Sequence, residues 1–319
     1  MKRIVLVAVT LLLAASASAD DGKPPSPPPV APLQGGLSGG LRGLGLSFFA
    51  NAGAFWADNN TANFYNGHPN NVNTIDRVLK SSFYGREIWD HLVNVDAISP
   101  SSIGSYSNLQ VVEYGDMYYR LSYQIGLGMR YDYASGFGWL LRFDLARLSA
   151  IGAFNLSSDN GTGILGSDRY IRCGILGKEE RINIDFAIAK SVPLSESLDL
   201  EINLGASLIN TKVKDNIIEV KGATWSILDV WNGQTPDYGV GSYEYINQGG
   251  IGYGVFMSVL VGYSVPDVGA IKAGYTCYQS KTVLKGGIGA DGTADPYTAW
   301  GWQHMLGVRF EINNFSFIQ

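Results

Sequence analysis

The alternation of side chains along residues 118–146 constrains the fold of this chain more than any other feature. From residue 119 to residue 133 every second side chain is large and apolar, a period of two held over fifteen residues. This apolar set is Tyr119, Leu121, Tyr123, Ile125, Leu127, Met129, Tyr131 and Tyr133. A period of two places the whole set on one face of a β-strand. The alternation resumes with an apolar face from Trp139 to Leu145, so the stretch predicts a hairpin.

Both strands of this hairpin are longer than strands in soluble sheets, which average about five or six residues. Their second face carries glycine and the charged residues Arg130, Asp132, Arg142 and Asp144. Strands of roughly ten residues, apolar on one face, small or polar on the other and bordered by aromatic residues, are typical of transmembrane β-barrels. The hairpin therefore predicts lipid on its apolar side and a polar barrel interior on the other.

Six further segments alternate in the same way, which gives eight predicted strands. They cover residues 44–56, 181–189, 198–208, 250–263, 271–278 and 300–312. An even number of antiparallel strands can close into a barrel and satisfy every backbone polar group in lipid. We therefore predict an all-β fold, an eight-stranded antiparallel transmembrane β-barrel over residues 42–319.

Short and long connections alternate strictly between these strands. The short ones lie near residues 136, 195 and 267, and the long ones span 58–117, 150–179, 210–248 and 281–299. Outer-membrane barrels have short turns on the periplasmic side and long loops outside, so both termini are predicted to be periplasmic. Each hairpin keeps its apolar set on one side only if its turn has an odd number of residues, so turns of three or five are expected. The first long segment holds a candidate helix at 75–93, and a further hairpin in it stays open. In the third long segment, the alternation of residues 213–220 leaves open a continuation of the strands above the membrane.

The first 41 residues are predicted to lie outside the barrel. Lys2 and Arg3 precede an apolar run and the Ala17-Ser18-Ala19 sequence, the pattern of a secretory signal peptide over residues 1–19. The run is too short to span a bilayer. Residues 20–41 are rich in proline and glycine and are predicted to form a periplasmic linker. The two cysteines, Cys173 and Cys277, are both expected to be free.

Charged residues at inward positions of the strands predict an interior network. There are six of each sign: Arg120, Arg130, Arg142, Arg181, Lys272 and Arg309 against Asp132, Asp144, Asp185, Asp199, Glu201 and Glu311. The interior of an eight-stranded barrel is just wide enough for side chains to fill, and buried charges must be paired. A paired network that plugs the barrel is the favoured interpretation, because a selective channel would show an excess of one sign.

On these features the chain resembles the small outer-membrane barrels of the OmpA, OmpX and OmpW type over residues 44–319. Its last predicted strand contains Gly307, Phe310 and Ile312, which is similar to the assembly signal that such barrels present to their insertion machinery. Met305 departs from that signal, and the chain continues past the strand to Gln319. The resemblance implies the bacterial outer membrane as location, with its lipid and the insertion machinery as partners. It brings no enzymatic or receptor-binding motif.

The expected function is structural or surface-interacting, with a ligand of unknown kind contacting the long loops. The alternatives are a narrow channel for small solutes, suggested by the glycines of the strand at 250–263, and a lipid-modifying barrel enzyme. The catalytic candidate is His304 on the lipid-facing side, but the next residue on its face is Leu306 and not a nucleophile. We therefore expect no enzymatic activity, and no cofactor or metal site. The modest net charge of -5 gives no indication of nucleic-acid binding.

Overall fold

The computed structural model of the protein describes eight ranges of residues. These are 45–81, 83–98, 108–133, 136–158, 170–228, 248–266, 268–285 and 296–312. The predicted signal peptide (1–19) and linker (20–41) lie outside the described residues. The same holds for parts of the four long loops and for the residues after 312.

Eight antiparallel strands close into a barrel, as the alternation predicts. They are β1 (Leu46–Trp56), β4 (Ser122–Asp132), β5 (Phe137–Ser158), β6 (Ile171–Pro193), β7 (Leu198–Val220), β9 (Gly250–Val265), β10 (Gly269–Leu284) and β11 (Tyr297–Ile312). Each strand pairs with its neighbours in this order, and β1 pairs with β11 from Phe48 opposite Ile312 to Trp56 opposite His304. The predicted all-β barrel fold is therefore confirmed by the strand pairing.

The register fixes the stagger of the barrel. A row of paired residues that starts at Arg142 reaches β11 at Gly301 through β6, β7, β9 and β10. In the other direction it passes β4 and β1 and reaches β11 at Glu311, ten residues further along the strand. Such a stagger goes with strands that are tilted to the barrel axis.

All three short turns have an odd number of residues, as expected from the parity of the apolar positions. Asp132 pairs with Gly138, Pro193 pairs with Asp199, and Val265 pairs with Gly269. The turns between these pairs hold five, five and three residues. Every hairpin therefore keeps its apolar set on the outside of the barrel.

An apolar belt surrounds the barrel, and β6 shows its depth. The outward residues Ile182, Ile184, Phe186 and Ile188 are 38 to 62% exposed although they are large and apolar. This run ends at Glu180 on one side and at Lys190 on the other, so it covers about the length of strand that crosses a bilayer. Exposed apolar side chains continue around the other strands, for example Leu127 and Leu204. The belt is the surface that contacts lipid.

Strands β5, β6 and β7 continue well beyond the belt, with 22, 23 and 23 residues. A strand of 23 residues is about 75 Å long, whereas a belt of this kind is about 25 Å tall. The sequence prediction ended β5 and β6 at residues 146 and 181, and this was wrong. On β7 it ended the strand at 208 but left open a continuation through residues 213–220, which the structure confirms. Past Arg147 on β5 the inner face becomes apolar, with Leu148, Ala150 and Phe154 buried. The outer face becomes mixed and carries Ser149 and Asn155 as well as Ile151 and Ala153.

This outer extension of β5, β6 and β7 is widened by three short strands. β2 (Leu109–Tyr114) and β3 (Tyr118–Tyr119) pair with β5, and β8 (Ala223–Ser226) pairs with β7. A bulge on β7 at Lys214 lies between the pairs Glu179–Val213 and Lys178–Asp215. The bulge shifts the inward positions of β7 from odd to even numbers, so Asn216 and Ile218 are buried.

Residues 58–98, which we call the cap, fold against the inner face of the outer extension. The cap contains a 3-10 helix (Ala62–Tyr65) and the helices α1 (Ile75–Leu79) and α2 (Tyr84–Asn94). The sequence predicts one helix near 75–93, and the structure has two short helices there. Thr74 caps α1 by accepting a hydrogen bond from the Arg77 backbone amide. Ile75, Leu79 and Ile88 are completely buried in the resulting core.

None of the helices in the described part of the chain is long and apolar enough to cross a membrane.

We expect arginine substitutions on the outer face of β7 to report the position of the belt. Leu204→Arg places a charge within the belt and should lower the free energy of unfolding by about 2–4 kcal/mol. Asn210→Arg lies on the same face just beyond the belt and should cost about 1 kcal/mol or less. Urea unfolding of the protein in lipid vesicles measures both, and equal losses would contradict this placement of the belt.

Candidate functional site in the barrel interior

Ten fully buried charged side chains occupy the inner face of the barrel, five of each sign. The cations are Arg130, Arg142, Arg181, Lys272 and Arg309, and the carboxylates are Asp144, Glu179, Asp185, Glu201 and Glu311. Nine of these were predicted from the sequence, and Glu179 was missed. The predicted Asp132 and Asp199 lie at the rim near the short turns, with side chains 37% and 21% exposed.

Arg120 is a correction to the predicted network, because its side chain is exposed on the outside. The alternation that includes Tyr119 does not run unbroken into β4. Tyr119 belongs to β3, where its ring is buried and pairs with β5 opposite Ala150. The outward run begins at Leu121, so the parity changes between these two residues and Arg120 faces outward.

The buried charges form three layers along the barrel axis, which we call the lower, middle and upper tiers. The lower tier lies next to the short turns and is centred on Glu201. Its carboxylate accepts hydrogen bonds from Lys272 Nζ at 2.6 Å, from Arg309 Nη1 at 2.6 Å and from Arg130 Nη1. Glu311 lies 3.1 Å from Lys272 Nζ and accepts from Ser47 Oγ at 2.7 Å. These contacts join β1, β4, β7, β10 and β11 across the barrel. The tier therefore links five strands across the lumen.

The middle tier is centred on Arg142. Its guanidinium donates to Asp185 Oδ2 at 2.5 Å and lies 2.8 Å from Asp144 Oδ2. It also donates to the Tyr278 hydroxyl at 2.5 Å, and Tyr278 in turn donates to Asp185 Oδ2 at 3.1 Å. The Phe256 ring packs against the same guanidinium at 5.3 Å. A cation held by two carboxylates and two rings leaves little free space at this level.

The upper tier lies at the outer mouth and joins the cap to the barrel. Arg181 Nε donates to Glu179 Oε1 at 2.6 Å, and Arg181 Nη2 donates to Thr61 Oγ1 at 3.0 Å and to the Tyr119 hydroxyl at 3.2 Å. Tyr65 of the 3-10 helix donates to Glu179 Oε2 at 2.6 Å. Because Tyr65 is buried beside the Glu179 carboxylate, the pKa of its phenol is raised well above the usual value, and the hydroxyl keeps its proton.

Further hydrogen bonds fix the cap over the mouth. Asn59 Oδ1 accepts from the Tyr119 amide, and Asn63 Oδ1 accepts from the Met117 amide, both at 2.9 Å. Asp58 Oδ2 accepts from the Trp302 amide of β11 at 3.1 Å. The side chains of Asn73 and Gln248 exchange two hydrogen bonds at 2.9 and 3.0 Å. The cap is thus tied to opposite walls of the barrel and its extension.

Between the middle and upper tiers, several buried polar side chains each have an atom that makes no hydrogen bond to a described residue. They include Asn183 Oδ1, Ser207 Oγ, Thr211 Oγ1 and Gln303 Oε1. Gly252 and Gly254 face inward on β9 between the same two levels. This band is the part of the lumen that is lined by small and polar groups.

The predicted assembly-signal residues lie on β11. Gly307 is opposite Gly53 of β1 and Gly274 of β10, Phe310 is an exposed belt residue, and Ile312 is the last described residue. Recognition of these residues by an insertion machinery stays a prediction.

His304 lies on the outer face of β11, as predicted, but it does have polar neighbours there. Its Nδ1 is 2.5 Å from the Tyr275 hydroxyl, and the two rings stack at 5.9 Å. Cys277 lies directly opposite His304 on β10. Both residues belong to β10, so the residues next to His304 in the sequence give no sign of them. Cys277 and Cys173 are free thiols, as expected.

No group of three or more His, Cys, Asp or Glu side chains in the described ranges is arranged to hold a metal ion. Within the barrel the ionised groups bind one another, and their charges balance. Chemically, the interior is suited to closing the lumen and to holding the strands in register.

No protein-family model matches the chain. No curated protein matches it. Two solved structures are similar to it at 10% sequence identity: Neisserial surface protein A, with a TM-score of 0.36, and Ail, the attachment invasion locus protein of Yersinia pestis, with a TM-score of 0.28. Each alignment covers 84% of this chain and 97% of the other chain. The fold of this chain rests on its own strand pairing: it is a small eight-stranded transmembrane β-barrel, with a capped extension on one side of the membrane.

The lower tier should depend on Glu201 more than on any rim carboxylate. Glu201→Gln leaves three buried cations without their shared anion, and we expect the free energy of unfolding to fall by about 3–5 kcal/mol. Asp199→Asn is the matched control, since Asp199 lies 3.5 Å from Lys272 at the partly exposed rim and should matter by about 1 kcal/mol or less. Urea unfolding in vesicles measures both. Similar values for the two variants would show that the tier is not organised around Glu201.

Proposed function

We propose that this protein is an outer-membrane barrel with a plugged interior, and that it serves envelope structure or surface contact through its capped outer extension. The observation that carries the proposal is the stack of three tiers, whose ten buried charges balance and which is covered by the cap. Balanced and mutually bonded charges give no selectivity for ions of either sign. What distinguishes the chain is the structure that it presents beyond the belt.

The outer membrane is the location that suits the belt and the strands. Barrels spanning a bacterial outer membrane have an apolar band bordered by aromatic residues, short turns on one side and long loops on the other. In the proposed orientation the cap and outer extension are extracellular, and the short turns and both termini are periplasmic. The long segments 58–117, 150–179, 210–248 and 281–299 are then the parts that meet an external ligand.

The plugged interior is tested by recording ion currents across planar bilayers. We expect purified wild-type protein to give no steady conductance, because each tier bridges the lumen. A variant in which a short loop replaces residues 58–117 should also stay closed, since the lower and middle tiers do not use the cap. A steady wild-type current would refute the plugged interior and favour a channel.

The orientation is tested by cysteine labelling on whole cells, in a background carrying Cys173→Ser and Cys277→Ser. Lys80→Cys in the cap should react with a membrane-impermeant maleimide on intact cells. Ser195→Cys, in the turn between β6 and β7, should react only after the outer membrane is made permeable. The reverse pattern of labelling would invert the proposed topology.

A narrow channel for small solutes is the second candidate, and the band of small and polar groups between the middle and upper tiers favours it. Ser207→Leu and Thr211→Leu would each fill this band with a bulky side chain, whereas a side chain at Gly252 or Gly254 would displace the backbone of β10. A solute flux into proteoliposomes that falls in these variants would support the channel. Flux that is absent in the wild-type protein, or unchanged in the variants, would remove it.

We propose that the protein is not an enzyme. The one arrangement that favours a lipid-modifying activity is Cys277 opposite His304, with Tyr275 hydrogen-bonded to the histidine. Mass spectra of lipid A from cells with and without the protein test this directly. Identical spectra would support the proposal, and a change that disappears with both Cys277→Ser and His304→Ala would overturn it.

A further inference from the structure

The outer border of the belt differs around the barrel. On β1, β4, β9 and β11 it consists of exposed aromatic side chains: Trp56, Tyr123, Tyr253, Trp300 and Trp302. On β5, β6 and β7, the three strands that continue outward, charged residues take this place. Aromatic residues suit the membrane–water interface in general, whereas cations there attract anionic lipids.

Four cations lie on the outer face of these three strands within six residues of the outer border of the belt, and we call them the basic row: Arg147, Lys178, Lys212 and Lys214. Arg147 pairs across the sheet with Glu180, and Glu180 pairs with Lys212. The row begins directly after the last outward belt residue on β5, Leu145, and one outward position further along on β6 and β7, after Glu180 and Asn210. Its charges therefore lie at the level where lipid headgroups meet the hydrocarbon layer.

Ion pairs hold part of the basic row in place. Glu180 accepts from Arg147 Nε at 3.1 Å and lies 2.7 Å from Lys214 Nζ, so one carboxylate fixes cations from two neighbouring strands. Arg147 stays 64% exposed and Lys214 stays 38% exposed in these pairs. Among the described residues, Glu180 and Asp215 are the carboxylates that pair with the row, so these six side chains carry a net positive charge in a chain of net charge -5.

We propose that the basic row binds the phosphate groups of lipid headgroups in the outer leaflet of the membrane. Phosphate oxygens accept charge-assisted hydrogen bonds from arginine and lysine. The position favours a lipid over a soluble anion, because the row is continuous with the belt that holds the acyl chains. This inference rests on the proposed location in the outer membrane. It adds which chemical group of the lipid is bound and which side of the barrel binds it.

The test measures binding of diphosphoryl lipid A to the protein in phosphatidylcholine nanodiscs. Each cation near an anionic surface contributes about 1 kcal/mol, which is about fivefold in affinity. The Lys178→Gln/Lys212→Gln variant should therefore bind about 25-fold more weakly than the wild-type protein. The difference should shrink at high salt, because exposed charges are screened.

Lys281→Gln is the matched control. Lys281 is directly opposite Trp300, in the aromatic part of the border, so its loss should leave lipid A binding unchanged. Dephosphorylated lipid A should bind equally to wild-type and variant protein. The proposal fails if Lys281→Gln weakens binding as much as the double variant, or if removing the phosphates does not matter. Displacement of lipid A by equimolar inorganic phosphate would also overturn it, since the site would then prefer a soluble anion.

The planar-bilayer recordings separate this inference from the proposed function. The double variant alters outer-face residues and should remain closed, as the wild-type protein should. If the barrel is closed but binds lipid A and dephosphorylated lipid A equally well, only the lipid site is refuted. If the barrel conducts ions, the plugged interior is refuted.

Discussion

The pairing of β1 with β11 is the interaction on which the rest of the structure depends. Hydrocarbon offers no hydrogen bonds, so a sheet in lipid must close and leave no edge. Once eight strands close, the lumen is narrow, and any charge that faces it must find a partner inside. The three tiers satisfy this requirement with contacts that cross the lumen. Closure of the backbone therefore requires the charged side chains to pair across the lumen, and these pairs help to hold the strands in register.

Most of the barrel was predictable because a lipid-facing strand leaves a strong pattern. The exposed face between Glu180 and Lys190 must be apolar and the lumen face must be small or polar, so a period of two identifies strand, face and partner parity together. Nine of the ten buried charges followed from parity alone. Glu179 was missed because the predicted strand stopped at residue 181. Arg120 was misplaced because the change of strand after Tyr119 does not interrupt the alternation of apolar residues.

The period of two did not predict most of the outer extension, nor the packing of the cap against it. Where β5 leaves lipid at Arg147, water lies outside and a packed core lies inside, so the inner face becomes apolar and the outer face mixed. In the sequence, such a change looks like the end of a strand, because the apolar residues no longer fall only on the positions that face lipid. The bulge at Lys214 shifts the parity of β7 again. The partners of Tyr65 and Arg181 depend on tertiary contacts over more than 100 residues of sequence, for which local periodicity holds no information.

The position of the cap early in the chain has a consequence for the order of folding. Its anchors come from strands that are made later: Tyr65 bonds to Glu179, 114 residues on, and Asn73 bonds to Gln248, 175 residues on. Contacts of such long range form slowly because the intervening chain must first be ordered. The cap can complete its core only after β6 and the β7–β9 connection are in place. A segment synthesised near the beginning therefore packs over the mouth of the barrel only after more than half of the chain that follows it has been made.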